Sequence, residues 1–78
     1  MLLEKLELNT HIVLNDNKEV IVENCQKILE FNEICIKVET LNLMVIIFGT
    51  DLVAQHFNSD NVSVKGKIQN IELLERHK

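Results

Sequence analysis

The chain is expected to be all-β: a small antiparallel meander of seven or eight short strands, closing as a sandwich or an open barrel and completed by dimerisation. Three observations predict this. Val and Ile recur in short runs from Ile12 to Ile71, with no proline anywhere. The only two glycines each close a run of strand formers, Leu43–Phe48 before Gly49 and Val62–Lys65 before Gly66. The connections between runs are too short for crossover helices, so neighbouring strands should be antiparallel.

Residues 1–8 are ambiguous, because Leu3 and Leu6 fit a short helix while Leu6–Leu8 alternates like a strand. His11–Leu14 is a short branched strand, stopped by the turn signal Asn15–Asn17. Glu19–Val22 forms the next strand and Lys27–Phe31 the one after, closed by Asn32–Glu33. The recurrent Asn residues punctuate these turns, since Asn tolerates the left-handed conformation that tight turns need. In Ile34–Thr40, Ile34, Ile36, Val38 and Thr40 face one way while Cys35, Lys37 and Glu39 face the other, the pattern of a half-buried strand.

Asn42 turns that strand into Leu43–Phe48, which is apolar on both parities and so should be the most central. Leu52–Phe57 follows the Gly49–Asp51 turn and ends at the polar turn Asn58–Asn61. In the last segment, Val62 and Val64 alternate, but Ile68 and Ile71 lie three apart. Either a bulge near Gln69–Asn70 restores the face or a short helix starts with Asn70 as its cap, and the bulged strand is preferred. Residues 75–78 are expected to fray, and the whole of 1–78 to form one domain.

Composition narrows the function classes. A chain of 78 residues buries only about 60% of the surface its unfolded form exposes, so its core is thin. With three Phe and neither Trp nor Tyr, that core must be aliphatic. A single thin sheet would leave one apolar face wet, which calls for a partner surface, most simply another copy of the chain. The net charge of −4, with basic residues scattered among acidic ones, gives no basic stripe for phosphates, and no aromatic platform exists for bases. Nucleic-acid binding is disfavoured. The longest apolar run is far too short to cross a bilayer, the first residues do not resemble a signal peptide, and two cysteines without an export signal suit a reducing cytoplasm.

A search for chemistry finds no constellation. His11, His56, His77, Cys25 and Cys35 show no metal-ligand spacing. Lys37 beside Cys35 would favour a thiolate, but no histidine stands at a suggestive spacing, and an inert thiol is the better account. Glu30, Glu33, Glu39, Asp51 and Asp60 are spread as solvated charges, with no pair marked for acid–base work, and Asp51 suits a turn whose backbone amides it satisfies. The sequon Asn61–Ser63 means nothing without secretion. Gly49 and Gly66 form no phosphate loop and should supply a positive φ or a bulge. No catalytic, metal or cofactor-binding residue is expected; Asn42, Gly49 and Gly66 are structural turn positions.

From about His11 to Leu74 the chain resembles the YabP/YqfC family of sporulation proteins. The resemblance is carried by Val20–Asn24, Ile28–Phe31, Ile36–Thr40, Val45–Gly49 with Leu52, and Val62–Ile71. The YqfC-like branch looks closer, because of Glu23–Asn24 ahead of Ile28–Leu29. One departure is Asn42–Leu43, where family members tend to carry a glycine; Asn42 would then take the special backbone conformation one place earlier. The resemblance implies a non-enzymatic role in spore formation, without a cofactor, in the mother-cell cytoplasm or peripheral to the forespore membrane. It also implies a companion membrane protein. An exposed strand edge would then pair with a second copy or with that companion by β-augmentation. The candidate strands carry Ile34, Ile36 and Val38, and Leu52, Ala54 and His56. The alternative is a small β-barrel that binds nucleic acid or a small ligand.

Overall fold

The computed structural model describes residues 9–56, 58 and 60–76. The ambiguous segment 1–8, Phe57, and His77 and Lys78 of the tail lie outside the described residues. The fold is all-β and antiparallel: β1 (His11–Asn15), β2 (Glu19–Glu23), β3 (Cys25–Phe31), β4 (Cys35–Thr40), β5 (Leu43–His56) and β6 (Val62–Glu75). They form one sheet in the order β1-β2-β6-β5-β4-β3. Strands β3 to β6 are a meander, and the β1–β2 hairpin is laid along β6.

Among the described residues six strands stand where seven or eight are expected, because the runs from Leu43 and from Leu52 are not separated by a turn. The Gly49–Asp51 segment bends a single strand whose ladder to β6 continues on both sides, Thr50 facing Lys67 and Val53 facing Lys65. Asp51 and Leu52 thus stand opposite Gly66 alone, a bulge that increases twist and bends both strands. Its backbone is unusual on both sides, with φ of 55° at Asp51 and 143° at Gly66. A second register shift pairs Phe48 with Asn70 but Gly49 with Ile68, leaving Gln69 as the extra residue. The preferred bulged strand is therefore the correct alternative for the spacing of Ile68 and Ile71.

These bends fold one sheet over itself. Val20, Val22, Val62 and Val64 come from the limb built on β2 and the start of β6, and Ile36, Val38, Val45 and Ile47 from the limb built on β4 and the start of β5. All eight are fully buried in one cluster with Cys25, Leu52 and Ile68. A flat sheet could not bury one face this way. The β2–β3 connection enforces the coil: these strands are four places apart in the sheet yet joined by the single residue Asn24, which is left-handed with φ 62°. Its corner is tied to the β5–β6 turn by Cys25 N–H donating to Asp60 O (2.8 Å) and Asn24 N–H to Asn61 Oδ1 (3.2 Å). β1 and β3 do not pair, so the coiled sheet stays open.

The Asn punctuation works mostly through side chains. Asn24 takes the left-handed conformation, but Asn32 Oδ1 accepts from the N–H groups of Ile34 and Cys35, and Asn58 Oδ1 from those of Asp60 and Asn61. Asn42 lies in the β4–β5 turn but is not among the left-handed residues. That turn is closed instead by Thr40, whose buried hydroxyl accepts from Leu43 N–H (2.9 Å) and donates to Leu43 O (3.0 Å).

Arg76, expected to fray, is anchored. Its guanidinium donates to the carbonyls of Thr40 and Leu41 and contacts Glu39 Oε2 at 2.6 Å, while its backbone N–H donates to Asn42 O (3.0 Å). One side chain thus pins the end of β6 to the β4–β5 turn. Charge-assisted hydrogen bonds with partly buried groups contribute about 2 kcal/mol. Arg76→Ala should therefore lower the melting temperature by about 10 °C. Arg76→Lys should recover only part of that loss, because an ammonium cannot reproduce the planar fork. Differential scanning calorimetry of the three proteins checks this.

Candidate functional site

Reactive side chains are dispersed by the fold. Cys25 faces Thr40 at one end of β4 and Cys35 faces Phe48 at the other, so the two thiols are far apart and both free. Burial pushes the Cys25 thiol above its ordinary value, which makes it less reactive. Lys37, a candidate activator of Cys35, reaches Glu30 at 3.4 Å. His11 approaches Glu23 (3.5 Å) on the β1–β2 hairpin, and His56 lies at the far end of β5. Among the described residues no three His, Cys, Asp or Glu side chains gather as a metal group. Asp51 supplies its left-handed backbone to the bulge.

One polar cluster is well ordered. On the outer face of the β1–β2–β6 limb, the nearly inaccessible Ser63 hydroxyl donates to Glu19 Oε2 (2.7 Å) and Asn15 Nδ2 to Glu19 Oε1 (3.1 Å). The Ser63 bond first, then the Asn15 bond, holds the Glu19 carboxyl below its ordinary value. This cluster fixes the register of the hairpin on β6. The sequence offered no signal for it, since Ser63 and Glu19 lie 44 residues apart.

The interaction residues proposed from the sequence divide. Ile36, Val38 and Leu52 are core side chains with 0–2% of their surface exposed, and β4 has neighbours on both rims. They cannot meet a partner without unfolding. Ile34 precedes β4 and is 62% exposed; Ala54 is half-buried and His56 exposed. Among the described residues, β5 from Val53 to His56 pairs only with β6, so this part of the candidate strand does present a free rim.

Other rims complete the surface: β1, β3, and β6 beyond Gln69. Large apolar side chains cluster near them. Phe31 (57% exposed), Ile34 and Leu29 lie at the β3 end, and Val13 (41%) and Leu14 (54%) on β1. Leu14 also borders a groove of about 310 Å³ whose other walls are Asp16, Asn17 and residues Ile68 to Ile71 of β6. Backbone rims flanked by apolar groups can add a strand from another chain. No helix among the described residues is long and apolar enough to cross a membrane.

Searches of curated proteins and of solved structures return no match. The model of the YabP family matches residues 7–78, which takes in every described strand and both bends. An all-β chain matched over nearly its whole length, on the blocks that carried the resemblance, belongs to the YabP family.

Proposed function

We propose that the protein is a non-enzymatic interaction module of spore formation that acts by self-association and by binding a membrane-protein companion, from the cytoplasmic side. The observation that carries this reading is the YabP family match over residues 7–78, membership being consistent with a sporulation-associated role. The open sheet supports it physically: among the described residues, apolar side chains stand exposed beside backbone rims without a strand partner, the combination used in strand addition. The module is read as a β-rich adaptor in the mother cell, bound peripherally at the forespore membrane through its companion.

A deletion strain tests the role. Growth is expected to be unaffected while the yield of heat-resistant spores falls, with rescue by the intact gene. Unchanged spore yield together with a growth defect would overturn the reading.

A further inference from the structure

We infer that β1 is the seam through which two copies of the chain join, by antiparallel pairing of β1 with β1 of the second copy about Val13. This rests on the self-association part of the proposed function and names its surface.

β1 is the only strand of the six without an Asp, Glu, Lys or Arg residue, in a chain of net charge −4. Among the described residues it also lies at an edge of the sheet, and it pairs with β2 in an unbroken five-residue register. Exposed edges are normally blunted by charge, bulges or proline, and β1 has none of these. The other rims are blunted. β3 has two register shifts and carries Lys27 and Glu30. The free part of β6 starts at the Gln69 bulge and carries Glu72 and Glu75. The free part of β5 begins at the Asp51–Leu52 bulge.

The strand is also self-complementary. Ile12 and Leu14 share one face, opposite Val22 and Val20, and His11, Val13 and Asn15 the other; Ile12 packs against the core while Leu14, nearer the end of the strand, stays exposed. A partner strand must keep this parity, because a one-residue slip would put apolar side chains on the wrong face. Pairing about Val13 keeps the parity and uses all five residues. It sets Val13 against Val13, Ile12 against Leu14, and His11 against Asn15, so no like formal charges meet. Ile12 of the second copy then lands beside the exposed Leu14, at the rim of the groove floored by Ile68 and Ile71. Five residues a side is a small contact, so the dimer is expected to separate on dilution.

Val13→Cys tests the register directly. Directly opposed residues of antiparallel strands have Cα atoms about 4.5–5.5 Å apart, within disulfide reach. In a Cys35→Ser background, with Cys25 buried, oxidation should convert most of the protein to a covalent dimer. Ile34→Cys, exposed in the β3–β4 turn and outside the proposed seam, should not do so. Light scattering from low to high micromolar concentration should show wild type dimerising and Val13→Lys remaining monomeric at unchanged melting temperature. A dimeric wild type whose Val13→Cys variant does not cross-link would overturn the seam and leave self-association standing. A wild type monomeric throughout would overturn both.

Discussion

An Ile47→Asp variant is expected to be unfolded at room temperature. Ile47 is wholly buried on β5, between Ile36 of β4 and Ile71 of β6. Removing its side chain forfeits about 3 kcal/mol of apolar burial. The carboxylate put in its place has neither a cation nor a donor among these neighbours, which costs several kcal/mol more even if it protonates. A domain of this size has a total stability of about 4–12 kcal/mol, so the loss is comparable with the whole. Val45→Asp, on the same strand and face, should behave alike. Ile34→Asp changes an exposed residue and should shift melting by no more than a few degrees. Circular dichroism melts of the variants decide it; a cooperative, wild-type-like transition in Ile47→Asp would show that β5 is not central.

Gly49→Ala should be nearly as damaging, although it adds one methyl group. A Cβ at Gly49 would overlap the Lys67 carbonyl oxygen and lie 2.9 Å from Leu52 Cδ2. Backbone from the opposite strand is in the way, so relief requires spreading the β5–β6 ladder at its bend. Overpacking of this kind costs about 3 kcal/mol. Gly66→Ala meets both a clash, 2.6 Å from Asp51 O, and a φ that side chains rarely adopt, so it should lose a comparable amount. Denaturant midpoints measure both. A neutral Gly49→Ala would mean that the two limbs do not pack through this bend.

The two glycines explain how much of the fold was legible. Sequence marks them as ends of strand runs, but a Gly-Thr-Asp bulge inside a continuing ladder and a turn between two strands use the same residues. Only the Thr50–Lys67 and Val53–Lys65 pairs distinguish them, and these are contacts across the sheet. Alternation in Ile36, Val38 and Thr40 was fully readable because one face is buried and the other wet. The Ile68–Ile71 spacing announced its bulge because breaking a period of two needs an extra residue. Strand order was not readable: β1–β2 joins β6 through Val20, Val22, Val62 and Val64, which any apolar strand could have matched.

The candidate surface suffered from the same limit. Parity identifies which residues share a face, yet it cannot say which face points inward or which rim is covered, so Ile36 and Val38 look like contact residues in the sequence although they are core. Arg76 was invisible for a different reason. A charged residue near a terminus resembles solvated tail until three carbonyls and Glu39 are brought around it by the β4–β5 turn. The charge-free composition of β1, in contrast, stood in the sequence throughout, but it acquired meaning only once β1 proved to be an edge.

The proposed role is to bind other proteins during spore formation. Its most direct measurement is a comparison of what co-purifies with the tagged chain from sporulating and from growing cells. A membrane protein is expected to be recovered stoichiometrically during sporulation and to be absent during growth. Equal abundance in both, with RNA or soluble metabolic enzymes attached and no membrane protein, would contradict it.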